Sequence, residues 1–290
     1  MSFFAQILQY SISGITSGSI YGVVGICWAV VYLITKVLNF ATGEFVMLGG
    51  MLTWGMHAAG LGFIPSMLLA IAATIVIAVV IERLAIRPVR FPSEMTYMMI
   101  TIAVASVIRG VVMLQWGTES EKIDPFFGSG VVQIFGATIT PQVIGVLGFL
   151  VVVTAGLHWF FQKTLIGKAM RASAINQTGA KLVGININIF RLLCFCMAGG
   201  LGALTGIVTT PITFTGYEIG ALTGIKGMVV AIVGGWTIGG TVVAALILGL
   251  LEGLCAGFVS AGFKDVLALL AIMVFLVART YVAGPKARHR

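Results

Sequence analysis

A chain of 290 residues with 59% hydrophobic residues, 9% charged residues and a mean hydropathy of +1.10 is no soluble globular protein, which carries roughly 25% charged residues. It is not a disordered one either, since disorder goes with few apolar residues. The net charge of +8, from 17 Lys and Arg against 9 Asp and Glu, sits in short connections between apolar runs, which speaks for membrane orientation and against nucleic-acid binding.

A crossing takes ~20 mostly apolar residues, so residues 1–290 read as one all-α transmembrane domain with room for about eight or nine spans. Thirty-eight glycines suit such a bundle, because they let helices approach closely. The first apolar run covers 7–34. Residues 1–9 hold no Lys or Arg, so no cleavable leader is expected. Gly14, Gly18 and Gly22 form two successive GxxxG spacings, with Ser11 and Gly25 nearby, which predicts tight packing of this helix. A polar break follows, with Lys36, Asn39, Phe40, Thr42, Gly43 and Glu44, before a run over 45–60 that contains Gly49 and Gly50. Thr42 or Asn39 is expected to cap the helix that opens here, and Glu44 suits the positive end of its dipole. The same groups can line a path for a solute, as in discontinuous transporter helices. Both readings stand.

Runs at 63–81 and 97–116 flank a basic connection with Arg83, Arg87 and Arg90. Arg109 lies inside the second run and Glu252 inside a later one. A charge at mid-bilayer costs about 2.5–3.5 kcal/mol on insertion scales, so each needs a partner or water. A mutual Arg109–Glu252 ion pair is one expectation; snorkelling of Arg109 from a span end is the other. Residues 117–140 are acidic, with Glu119, Glu121 and Asp124 against Lys122. After a run at 141–161 comes a basic connection over 163–186, with Lys163, Lys168, Arg171 and Lys181. Its Ala-rich stretch, with polar pairs at i, i+3 and i, i+4, predicts a short surface helix. That helix can lie on anionic lipid or dock into a partner's groove. The next run, 187–209, ends in a second break through Thr209, Thr210, Pro211, Gly216, Tyr217 and Glu218. Runs at 227–239, 240–260 and 265–282 precede a tail with Arg279, Lys286, Arg288 and Arg290. All of these runs are too long for barrel strands of ~10 residues. By the positive-inside rule the basic connections and the C-terminus are cytoplasmic and 117–140 faces outward. The side of the N-terminus stays open.

Cys27, Cys194, Cys196 and Cys255 all lie in apolar runs without CxxC spacing and read as structural thiols. His57, His158 and His289 are scattered, so no metal motif is formed. No GxxxxGK[ST] phosphate loop occurs, since Gly167 and Lys168 precede Ala169, and the chain is expected to bind no nucleotide itself. No nucleophile–base grouping nominates an enzyme.

The stretch 38–49, from Leu38 through Asn39, Phe40, Ala41, Thr42, Gly43 and Glu44 to Gly49, resembles the signature of the LivH-type permeases of branched-chain amino acid ABC transporters. So do Gly167, Lys168, Ala169, Met170, Arg171 and Ala172, followed by Ala180, Gly184, Ile185 and Asn186. A third match runs from Gly224 and Lys226 through Gly234 and Gly235 to Leu248, Gly249 and Glu252. The resemblance implies a bacterial inner-membrane permease paired with a related LivM-type permease. Two cytoplasmic ATPases, which carry the ATP and Mg, and a periplasmic solute-binding protein complete the importer. It also implies that Asn39, Phe40, Thr42, Gly43 and Glu44 lie near the solute path. Gly167, Lys168, Arg171, Ala172 and Gly184 then belong to a coupling element that contacts an ATPase. Thr42 stands where members usually carry His or Gln, and the coupling loop lacks the glutamate of the EAA motif. The solute therefore stays open among branched-chain amino acids, urea, short amides and other carboxylates. The alternatives are an ion-coupled transporter or channel with Glu44 and Glu252 carrying protons, and an integral membrane enzyme.

Overall fold

Backbone N–H and C=O groups in hydrocarbon must be satisfied within the segment, which a helix does, and the long apolar runs fold accordingly. The computed structural model describes residues 3–274 apart from 90–92, 129, 135–136, 261, 265, 267–268 and 271–272. Its helices are α1 (Phe3–Thr35), α2 (Thr42–Ala58), α3 (Phe63–Val80, continued by a π-helical turn Ile81–Ile86), α4 (Glu94–Trp116) and α5 (Pro141–Lys163). They continue with α6 (Leu165–Ile175), α7 (Gln177–Leu182), α8 (Ile187–Thr213), α9 (Ile219–Val233) and α10 (Ile238–Phe258). A small antiparallel hairpin, β1 (Val132–Ile134) and β2 (Ala137–Ile139), interrupts the acidic connection.

Six helices, α1, α3 with its π turn, α4, α5, α8 and α10, are long and apolar enough to cross a membrane. The expected eight or nine crossings are not reached among the described residues. At 17 and 15 residues, α2 and α9 fall short of the ~20 that a crossing takes. The run at 265–282 lies largely outside the described residues, as do Arg90, Arg279, Lys286, Arg288 and Arg290. The boundary of α9 also differs from the expected 227–239. It begins eight residues earlier, because Gly220, Gly224 and Gly227, which dilute the apolar pattern, form its packing face. A Cβ on Gly227 would meet Val24, and one on Gly224 would meet Gly43.

The long α1 is buried over most of its length and forms the axis of the bundle. Its glycines do what their spacing predicts. A Cβ on Gly14 would lie 2.5 Å from the Gly249 carbonyl oxygen, and one on Gly18 2.6 Å from that of Ala245, so α1 and α10 touch backbone to backbone. Peripheral α4 and α5 turn Val107, Val111, Leu114, Val151 and Val152 outward, as a lipid-facing surface does.

Charge separates along the axis. At one end Gln9 and Thr138 exchange two hydrogen bonds, and Glu121 pairs with Thr215 through reciprocal backbone bonds of 2.7 and 2.8 Å. Phe63 packs on Phe126 there. This acidic end gathers the start of α1, the α2–α3 turn and the α8–α9 turn. At the other end Gln177 donates to the Ile34 carbonyl, Arg191 pairs with Glu82, and Trp236 stacks on Tyr32 at 4.0 Å. This basic end holds Arg83, Arg87 and the 163–186 connection. The start of α1 thus lies on the side of the acidic loop.

Candidate solute path and its ion pairs

The break before α2 is closed by its own polar groups. Asn39 accepts from the Ala41 N–H at 3.1 Å, and the Thr42 hydroxyl donates to the Asn39 carbonyl at 2.7 Å. From α4, the Thr101 hydroxyl accepts from the Phe40 N–H and donates to the Leu38 carbonyl. Neither Asn39 nor Thr42 caps α2 as expected. Ala41 holds the N-cap position with no side-chain bond, because both polar side chains turn back into the break. Asn39, Thr42, Gly43 and Glu44 are buried and Phe40 is half-buried. Gly43 abuts Gly220 and Gly224 so closely that no side chain fits between α2 and α9. Of this group, Phe40 and Glu44 reach a cavity of about 150 Å³, shared with Trp28, Ser106, Arg109 and Ile225.

Three buried carboxylates each meet a cation on another helix. Arg109 pairs with Glu44 at 2.7 Å, so the expected Arg109–Glu252 pair does not form. The reason is placement: Arg109 sits on α4 over the first turn of α2, whereas Glu252 faces α1 and α9. Glu252 instead receives Lys226 of α9, whose Nζ lies 3.0 Å from Oε1 and 3.1 Å from Oε2. The Tyr21 hydroxyl of α1 donates to the same carboxylate at 2.9 Å and accepts from Lys226 at 3.0 Å. At the basic end Arg191 reaches Glu82 on the π turn at 2.8 Å. Lys226, Tyr21, Glu82 and Arg191 escaped the sequence reading as site residues. Lys226 carried the signal that singled out Arg109, a lone charge in an apolar stretch.

Lys226 and Tyr21 stand at the wall of a second cavity, about 210 Å³ in volume, enclosed by α1, α8 and α9 with Val46 of α2. Thr209, Thr210 and Thr213 of α8 form one wall, while Ile20, Phe214 and Leu222 are apolar. The cavity thus lies toward the acidic end, where α8 stops and α9 begins. Phe214 at that turn has a positive φ of 62°, a backbone state that a bulky residue adopts only where its surroundings enforce it. Among the described residues no group of three or more His, Cys, Asp or Glu is placed to hold a metal. Cys27 and Cys194 are buried, Cys196 and Cys255 half-buried, and all four are free thiols.

The expected surface helix of 163–186 is two helices, α6 and α7. Thr164 caps α6 by accepting from the Gly167 N–H, and Asn176 breaks the run and caps α7 by accepting from Gly179. Gly167 is buried against the end of α5, where a Cβ would strike Phe160 and Phe161. Lys168, Arg171, Ala172 and Gly184 are exposed. So are Leu165, Ile175, Leu182 and Val183, each at least 75%.

Residues 10–278 match the family described as branched-chain amino acid transport system, permease component. The high-affinity branched-chain amino acid transport system permease protein LivH of Escherichia coli (strain K12) is 32% identical over 97% of this chain and 96% of its own. BraD of Pseudomonas aeruginosa, of the same description, is 30% identical over 96% of this chain and 95% of its own. The ribose import permease protein RbsC of E. coli K12 is 25% identical over 83% of this chain and 78% of its own. With a matching family model across nearly its whole length, the chain belongs to the branched-chain amino acid transport system permease family.

Proposed function

We propose that this chain is the membrane-embedded permease subunit of an ATP-driven importer for branched-chain amino acids or a related small polar solute in a bacterial inner membrane. The observation that carries the reading is identity of 30–32% over 96–97% of the chain to permease proteins of branched-chain systems. The positive-inside rule puts the basic end in the cytoplasm, and the acidic end with its polar cavity then faces the solute supply. A solute-binding protein releases its cargo there, and a second permease subunit closes the other side of the path. The broken helices α2 and α9 provide the polar interruption that plain anchors do not need.

The coupling role belongs to α6 and α7. Their exposed Leu165, Ile175, Leu182 and Val183 beside Lys168 and Arg171 suit insertion of a short helix into a partner's groove. ATP and Mg are held by two ATPase partners, and the permease itself is not catalytic. Nucleotide binding moves the path only if it favours one state over the other in free energy. Reconstitution with the co-purifying subunits tests the reading: leucine uptake stops when ATP is withdrawn and survives collapse of the proton gradient. Uptake that follows the proton gradient and ignores ATP refutes it.

A further inference from the structure

Helices α5 and α10 scarcely touch. The glycine contacts at Gly14, Gly18 and Gly249 draw α10 onto α1, which leaves a gap on its flank toward α5. Two cavities occupy that gap. One, about 370 Å³, lies at the basic end between α1, the end of α5, Arg171 of α6 and the start of α10. The other, about 790 Å³, runs on between α5 and α10. They share His158, Gln162, Ile238 and Gly239 and so form one groove. A Cβ on Gly239 would meet nothing within 4 Å, so this glycine faces open space. At the mouth stand Arg171, Lys163, His158 and Gln162, all exposed, with Trp159 and Trp236 beside them. Among the described residues no carboxylate lines the groove, and neither Lys163 nor Arg171 is in an ion pair. Further in, the lining turns to Leu150, Val151, Ala155, Val242 and Leu246.

We infer that this groove binds an anionic phospholipid of the cytoplasmic leaflet. Arg171 and Lys163 take the phosphate, His158 and Gln162 add donors, and an acyl chain follows the apolar lining inward. The length agrees. At ~1.5 Å per residue the groove extends about 12 Å along α10 from Ile238 to Leu246, and about 20 Å along α5 from Lys163 to Leu150. One leaflet's hydrocarbon is ~15 Å deep, half of the ~30 Å core. Tryptophans at the mouth suit the headgroup level, and basic pockets between transmembrane helices on the cytoplasmic side are where acidic headgroups bind. A second permease subunit is the poorer occupant. The positive-inside rule gives it a basic cytoplasmic end as well, so like charges would meet at the mouth. The lipid headgroup then lies against α6, whichever solute is carried.

The test uses the full-length chain in nonionic detergent micelles and lipids with brominated acyl chains, which quench tryptophan fluorescence on contact. Trp159 and Trp236, which line the groove, are the reporters. Their signal is isolated by difference from the variant Trp159→Phe with Trp236→Phe, both in the chain alone and in the assembled importer. Phosphatidylglycerol is expected to half-quench at about a tenfold lower mole fraction than phosphatidylcholine with the same chains, since each basic residue near an anionic headgroup contributes about fivefold. Lys163→Gln, a change at an exposed position, is expected to cut that preference about fivefold. Gly239→Phe, which fills the open space, is expected to abolish it. Arg83→Gln, at the same end of the bundle on the π turn and outside the groove, is expected to keep it, as is assembly into the importer. Equal quenching by the two lipids overturns the assignment. So does a preference that neither groove variant lowers, or that Arg83→Gln lowers as much as Lys163→Gln. A preference that vanishes on assembly overturns it too and gives the groove to a neighbouring subunit.

Discussion

Removing Arg109 or Glu44 tests how the intramembrane charges are wired. Their 2.7 Å separation corresponds to a Coulomb attraction of about 6 kcal/mol at an effective dielectric of about 20, before desolvation is subtracted. The two ends are unequally buried: Glu44 is 1% exposed and the Arg109 side chain 35%. Arg109→Met therefore strands a buried carboxylate and is expected to cost about 3 kcal/mol, the lower range for breaking a buried pair. Glu44→Gln leaves a guanidinium that can snorkel toward the outer interface, so about 1 kcal/mol is expected. The double variant should lie near the milder single, which gives a coupling of about 3 kcal/mol, above the ~1.7 kcal/mol upper value measured for hydrogen bonds between membrane helices because this pair carries full charges. Equilibrium unfolding in mixed micelles, run as a double-mutant cycle, reads this directly. The same cycle on Arg109 and Glu252 should be additive within about 0.5 kcal/mol, as for separated sites. Coupling between Arg109 and Glu252 with none between Arg109 and Glu44 would refute the wiring.

Four further outcomes follow from other contacts. Gly249→Val should separate α1 from α10, because a Cβ there meets the backbone of Gly14 and Gly18; a loss of about 3 kcal/mol or more is expected, at or above the usual range for overpacking. By contrast Gly148→Ala on α5, with nothing within 4 Å of the added Cβ, should stabilise by about 0.5–1 kcal/mol through helix propensity; thermal unfolding compares the two. Thr101→Val removes the hydroxyl that bridges the Phe40 N–H and the Leu38 carbonyl, and should cost about 1–3 kcal/mol by leaving part-buried backbone groups unpaired, read by the same unfolding assay. Arg171→Glu on the exposed face of α6 should leave the chain's unfolding temperature unchanged while weakening ATPase co-purification and ATP-driven uptake; intact assembly and uptake would remove α6 from the coupling role.

Much of the architecture was legible in the chain itself. Composition requires a membrane, the spacing of Gly14, Gly18 and Gly22 predicts a helix that packs on its backbone, and the alternation of basic and acidic connections predicts the two charged ends. Each of these is local: a hydropathy run, a four-residue period or a loop's charge depends on neighbours in sequence. The motif at 38–49 and the 167–186 loop also sufficed for the family resemblance. What the chain alone did not decide is which helix faces which. Arg109 and Glu252 were the isolated charges expected to meet, yet Arg109 meets Glu44 across 65 positions of sequence and Glu252 meets Tyr21 across 231. Asn39 and Thr42 carry capping side chains, but the approach of Thr101 from α4 and the glycine contact with α9 turn them inward instead. The cavity is likewise no property of one segment. It forms because α8 stops at Thr213, α9 starts at Ile219 and both lie against α1. Periodicity dictates the apolar face of each helix, whereas the partner of a buried charge is decided by long-range packing, where the cost of an unpaired charge in hydrocarbon selects the arrangement that pairs it.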